Sequence, residues 1–135
     1  MENEFILKIK SSPEFLPQVE DFVLEKIKNL NLPKEKIDSL SLAVAEAASN
    51  CIIHGNKFDD NKSVVITVKI CKDELRIIFK DEGKGFDPKI VPDPTIPENI
   101  LKESGRGIHI MRTFLDDLKF NFTETGTETI LILKI

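Results

Sequence analysis

Residues 75–87 read LRIIFKDEGKGFD: an apolar run that ends in a carboxylate and passes at once into glycines. Leu75–Phe79 has the length and composition of a buried strand, so Asp81 hangs from the end of an element the core must hold. A carboxylate placed there needs compensation. The exocyclic amine of an adenine would supply it, and Gly83 and Gly85 would let base and sugar approach backbone that carries no Cβ. An Asp-x-Gly turn with no ligand fits the same letters.

Upstream of this segment, Glu46 and Asn50 stand four residues apart and share one face of a helix. Ala43, Ala45, Ala47 and Ala48 flank them, and such small neighbours let a ligand or another element come close. An Asn oxygen suits a hard cation such as Mg²⁺, commonly shared with substrate phosphates. A carboxylate beside it can orient or deprotonate a nucleophile. A solvated Glu and an ordinary helix Asn are the plainer alternative. His54-Gly55-Asn56 just beyond suggests a helix end shaped for a purpose. Downstream, Gly105-Arg106-Gly107 opens a helix whose first amides and dipole favour an anion. Arg106 adds a planar fork suited to a terminal phosphate; a flexible joint is the alternative. Gly126-Thr127 reads as a hairpin turn, with a threonine hydroxyl that could also support a buried polar base. Each segment is ambiguous alone, but the first three, about 20 to 35 residues apart, read together as a nucleotide site.

The remaining pattern supplies a frame for them. Residues 4–10 alternate as a strand, and Ser12-Pro13-Glu14 starts a helix with Ser12 as its cap. Apolar spacing carries that helix to Leu30. A second runs from about Lys34 to Ile53 with Ile37, Leu40, Val44, Ala47 and Cys51 on one stripe, and Gly55-Asn56 stops it. Strands over 64–70 and 75–79 follow as a hairpin. From Phe86 to Ser104 the pattern dissolves, and Pro88, Pro92, Pro94 and Pro97 forbid a regular ladder or a long helix. So long an irregular stretch inside a small domain reads as a lid. A third helix over 107–118 and a final hairpin, 118–123 and 128–135, complete the order β-α-α-β-β-lid-α-β-β. Helices segregated on one face of a sheet are the expected result.

The 135 residues suffice for one domain with a real core. A net charge of -4 argues against a general nucleic-acid binder. No apolar run approaches the ~20 residues of a membrane span, and the N-terminus lacks a signal-peptide pattern. Cys51 and Cys71 are the only cysteines. Their spacing is not metal-like, which favours a reduced cytoplasmic setting, and Cys51 reads as a small core residue. His54 and His109 offer no zinc set; His109 reads as a helix-surface or half-buried residue and His54 as a flank of the site. There is no Walker P-loop, no full Rossmann fingerprint and no kinase His-Arg-Asp or Asp-Phe-Gly.

Four ordered motifs resemble the GHKL ATP-binding domains, the superfamily of gyrase, Hsp90, histidine kinases and MutL. The chain is most similar to the anti-sigma regulatory factors, serine/threonine kinases of bacterial partner switching. Residues 46–56 resemble the N box, 81–87 the first glycine box, 105–108 the second, and Gly126-Thr127 the closing Gly-Thr. The resemblance spans nearly the whole chain. It implies an α+β, two-layer Bergerat sandwich: a mixed, mostly antiparallel sheet with three helices on one face and an ATP lid over about 88–104, all in one domain, 1–135.

It also implies roles. Glu46 would be the base for a substrate hydroxyl, and Asn50 would hold Mg²⁺. Asp81 would bond the adenine amine, with Thr127 assisting. His54, Gly83, Gly85 and Phe86 would line the ATP site, and Gly105, Arg106, Gly107 and Ile108 would meet its phosphates. The phosphoryl acceptor would be a serine or threonine of a STAS-domain anti-anti-sigma protein, with a sigma factor as its competitor and a homodimer as the assembly. Two rivals remain at this point. One is a partner-switching protein that acts by binding alone. The other is the ATP-binding domain of a histidine kinase, though residues 12–30 carry no phospho-accepting His.

Overall fold

A computed structural model describes residues 3–57, 59, 61–83 and 113–135. Strand β1 (Asn3–Lys10) leads through a 3-10 turn at Pro13–Phe15 into helix α1 (Leu16–Ile27). Helix α2 (Lys34–Asn50) continues as a π turn over Cys51–Gly55. Strands β2 (Ser63–Ile70), β3 (Glu74–Lys80), β4 (Asp117–Thr123) and β5 (Gly126–Lys134) complete the described elements. Ser12 does occupy the cap position, in extended backbone, but its side chain makes no capping bond. The helix begins instead through the proline turn.

The sheet order is β1-β2-β3-β5-β4, and every neighbouring pair is antiparallel. The expected mixed sheet is therefore antiparallel throughout the described residues. β5 lies inside the sheet, between β3 and β4. In its run Ile130-Leu131-Ile132-Leu133 the last three residues are buried and Ile130 is half-buried. The third expected helix falls largely outside the described residues. Its expected last two residues, Asp117 and Leu118, belong to β4, because Leu118 pairs with Leu131.

One face of the sheet carries the core. Val64, Ile66 and Val68 of β2 alternate with half-buried neighbours, as do Leu75, Ile77 and Phe79 of β3. Against them pack Val19, Val23 and Ile27 of α1 and Leu40, Ala43, Val44, Ala47 and Ala48 of α2. Truncating Phe79, fully enclosed at this interface, to alanine would cost about 3–5 kcal/mol. The alanines of α2 serve this packing: Ala43, Ala47 and Ala48 have no exposed surface, and only Ala45 faces solvent. Small residues here bring α2 close to the sheet. Of the two neighbours that small residues could admit, a ligand or another element, these buried alanines admit the sheet.

On the other face, register places Ile6, Thr67, Ile78, Ile130 and Lys119 in one row across all five strands. This row explains why β3 reads as almost continuously apolar. Among the described residues no helix is long and apolar enough to cross a membrane.

Candidate functional site

The end of β3, the start of β5 and the end of α2 meet at one edge of the sheet. Asp81 is the first residue past β3, and the ladder carries it one step further than the strand. Lys80 pairs with Glu128, and the Asp81 amide then donates to the Thr127 carbonyl at 3.0 Å. The side chain folds inward and is 4% exposed. Its Oδ1 accepts the Gly83 amide at 2.9 Å and the Thr127 amide at 3.3 Å.

Burial pushes the Asp81 carboxyl above its ordinary range. The Gly83 and Thr127 amides, the Cys51 thiol and the Lys62 ammonium oppose that rise by favouring the charged form. Cys51, completely enclosed, is itself raised well above an ordinary thiol by burial first and by the Asp81 charge second. It is a neutral thiol. Cys51 belongs to the core, as its place on the helix stripe suggests, and it also forms part of the carboxylate's wall.

Glycines make this arrangement possible. A Cβ on Gly55 would overlap the Asp81 carboxylate, and one on Gly126 would overlap the Asp81 carbonyl. Gly126 also sits at φ 154°, which a side chain rarely tolerates. The space beside Gly83 is taken by the Gly55 carbonyl, so this glycine admits neighbouring backbone.

Thr127 is 3% exposed, and its Oγ1 has no hydrogen-bond partner among the described residues. A buried hydroxyl left unpaired is costly. Beside a carboxylate with lone pairs to spare, it fits a polar ligand edge that offers both a donor and an acceptor. That is the chemistry of a purine's Watson–Crick edge.

Sequence pattern marks Asn56 as part of a helix stop shaped for a purpose but not its partners; it is 1% exposed, and both ends of its carboxamide are bonded. Its Oδ1 accepts the Glu82 amide at 2.8 Å, and its Nδ2 donates to the Ser63 carbonyl at 3.0 Å. The Glu82 carboxylate in turn accepts the Ser63 amide. Asn56's own amide closes the π turn onto the Cys51 carbonyl at 2.8 Å. Such π turns are frequent at functional sites. An asparagine directly after a helix-ending glycine is the available signal, but its partners lie in segments that sequence pattern does not connect to it.

Glu46 and Asn50 lie further back on α2, half-buried at the border between its core and solvent faces. His54 lies in the π turn, and its side chain is outside the described residues. So are Gly85, Phe86, Gly105, Arg106, Gly107, Ile108 and the expected lid. The structure thus brings together Asp81, Gly83 and Thr127 and hangs Glu46 and Asn50 on the helix whose end touches Asp81. A cavity of about 300 Å³ lies at the other end of α2, between Glu35, Lys36, Ser39 and Phe114, and includes none of these residues.

This edge of the sheet thus presents a carboxylate held by an antiparallel ladder, walled by glycines and reached from the end of a helix. Residues 9–133 match the histidine kinase-like ATPase domain family, and the chain belongs to that family, among its GHKL-type anti-sigma regulatory factors. It is 33% identical over 138 residues to an anti-sigma F factor of Clostridium perfringens, covering 99% of this chain and 94% of the relative. It is 27% identical over 121 residues to the serine-protein kinase RsbW of Bacillus subtilis, covering 84% and 74%.

Among solved structures, the RsbU and RsbW domains of a Mycobacterium tuberculosis protein superpose with a TM-score of 0.70 at 13% identity. That match covers 97% of this chain and 32% of the larger one. The mycobacterial sensor histidine kinase MprB gives a TM-score of 0.59 at 14% identity, covering 96% and 97%. These structural likenesses show the shared fold.

Proposed function

We propose that this chain is an ATP-dependent protein kinase of a partner-switching pair, a single cytoplasmic domain that regulates by phosphorylating a STAS-domain protein. The observation that carries the reading is the Asp81 site: a buried carboxylate with spare acceptors beside a Thr127 hydroxyl that has no partner among the described residues. The names of the relatives, an anti-sigma F factor and a serine-protein kinase, support the same reading.

In this reading Asp81 accepts the 6-amino group of ATP, and Thr127 completes the contact with the base. Gly105, Arg106 and Gly107 receive the phosphates under the segment 88–104, with His54, Gly83, Gly85, Phe86 and Ile108 lining the site. Asn50 supplies an oxygen of the kind Mg²⁺ prefers. The ion, when bound, would neutralise phosphate charge.

Glu46 then takes the proton of a partner serine or threonine hydroxyl. That oxygen forms a bond to the γ-phosphorus as the bond to the β–γ bridging oxygen breaks, and ADP is left. Positioning and charge neutralisation supply most of the acceleration in such transfers. A homodimer, and a sigma factor that competes with the unphosphorylated STAS protein, belong to the same proposal.

The direct test incubates the purified chain with γ-labelled ATP, Mg²⁺ and a STAS-domain protein carrying the acceptor residue. Label on the STAS protein supports the kinase reading. ADP-dependent complex formation with no label would leave a protein that acts by binding alone.

A further inference from the structure

We propose that Asn56 is a positioning residue for adenine recognition: its buried carboxamide locks the chain after Asp81 to the end of α2. The inference rests on the reading of Asp81 as the adenine acceptor and adds a residue that does not touch the nucleotide.

Hydrogen bonds tie Asn56 to three segments. Asn56 moves with α2, because its amide completes the π turn onto Cys51. Its carboxamide spans to Glu82, 26 residues away in sequence, and to Ser63 at the start of β2. Glu82 returns a bond to Ser63 through its carboxylate, so three segments form one ring. The carboxamide fits in only one orientation. Rotated by half a turn, it would face a donor with a donor and an acceptor with an acceptor, at a position only 1% exposed.

The ring bears directly on Asp81. Glu82 lies between Asp81 and Gly83, and the Gly83 amide is one of the two that hold Asp81 Oδ1. Gly83 also packs on the carbonyl of Gly55, the residue before Asn56. A shift of the Glu82 amide away from Asn56 would therefore tilt the bond from Gly83 to Oδ1 and change how Oδ2 meets Gly55. The carboxylate would remain buried but aimed differently. Recognition of a single amino group demands such aim, because a misdirected buried acceptor loses its bond and stays desolvated.

The test measures binding of ADP and of purine riboside diphosphate, the same nucleotide without its 6-amino group. Calorimetry on the full chain would compare wild type, Asn56→Ala and Asn56→Asp, well below each unfolding midpoint. Wild type is expected to prefer ADP. Asn56→Ala should weaken ADP by about 10-fold and the analogue much less, so the preference narrows by at least about 3-fold. Asn56→Asp keeps the acceptor for Glu82 but loses the donor to Ser63, and should fall between the two.

A loss shared equally by both nucleotides, or a preference like that of wild type, overturns the role even if the protein melts earlier. Should Asn56→Ala fail to fold, a wild-type preference in Asn56→Asp overturns it instead. A wild type that does not distinguish the two nucleotides would sink the adenine reading, and this proposal with it. Discrimination that survives in the variants sinks this proposal alone.

Discussion

Gly55 closes the π turn of α2 directly against the carboxylate of Asp81, where a Cβ would overlap both carboxylate oxygens. Helix end and strand end thus touch through the one residue type that leaves them room. Gly55→Ala is expected to destabilise the protein by about 1–3 kcal/mol, because neither the helix end nor the ladder-bound Asp81 can give way freely. ADP affinity should fall by more than about 10-fold, since the displaced carboxylate is the proposed base contact. Thermal unfolding and calorimetry read the two effects, and wild-type values in both would show that the contact is slack.

The Thr127 hydroxyl gives a prediction of opposite sign for stability. Thr127→Val keeps the shape and removes a buried oxygen without a partner in the described structure. The unliganded protein should be as stable as wild type or up to about 1 kcal/mol more stable. Nucleotide binding should weaken by about 3- to 10-fold, the worth of one hydrogen bond. A variant that binds ADP normally would remove Thr127 from the site.

In the proposed mechanism Glu46 acts on the acceptor hydroxyl and does not touch the base. Glu46→Gln retains the volume of this half-buried side chain and removes its basicity. Phosphoryl transfer to a STAS partner should slow by about 10²- to 10⁴-fold, the usual share of a general base. ADP affinity should stay within about 2-fold, because the lost interaction belongs to the transition state. An undiminished transfer rate would assign the proton to another acceptor.

The raised Asp81 carboxyl links stability to pH in an unusual direction. Its folded form holds the proton more tightly than the unfolded chain, mainly through burial, despite the amides of Gly83 and Thr127, the Cys51 thiol and Lys62. Its contribution to stability is therefore complete below the ordinary carboxylate range and is lost as pH rises through the raised value. At neutral pH the charged form is a burden on the fold. Asp81→Asn keeps Oδ1 for the two amides, so at pH 7 it should unfold at the same temperature as wild type or higher. That advantage should shrink as the buffer is made acidic. ADP binding should run the other way in wild type, weakening as pH falls through the raised value and the acceptor is protonated. A clear loss of stability in Asp81→Asn at pH 7 would contradict the burial argument.

Much of the frame is readable from local pattern. Alternation marks β2 and a short apolar run marks β3, and these two signals alone put Asp81 at a strand end. The order of the last two strands is harder to read, since a hairpin can dock by either edge. A signal is present all the same: Ile130-Leu131-Ile132-Leu133 is too continuously apolar for an edge, and β5 is the inner strand.

The stripe Leu40, Val44, Ala47 and Cys51 marks the side of α2 that meets the sheet, and the element its small residues admit is the sheet itself. The role of Asn56 is harder to read. Its partners Ser63 and Glu82 come from two other segments, and periodicity reports contacts within one element only. Asp81 is legible because its oddity, a charge after an apolar run, is local.

The most direct measurement is the dissociation constant of ADP for Asp81→Asn beside wild type, with unfolding curves recorded on the same samples. The account predicts a folded variant, at least as stable as wild type at pH 7, that binds ADP at least about 10-fold more weakly. Equal affinity in a folded Asp81→Asn protein would contradict it, and the adenine pocket would have to lie elsewhere.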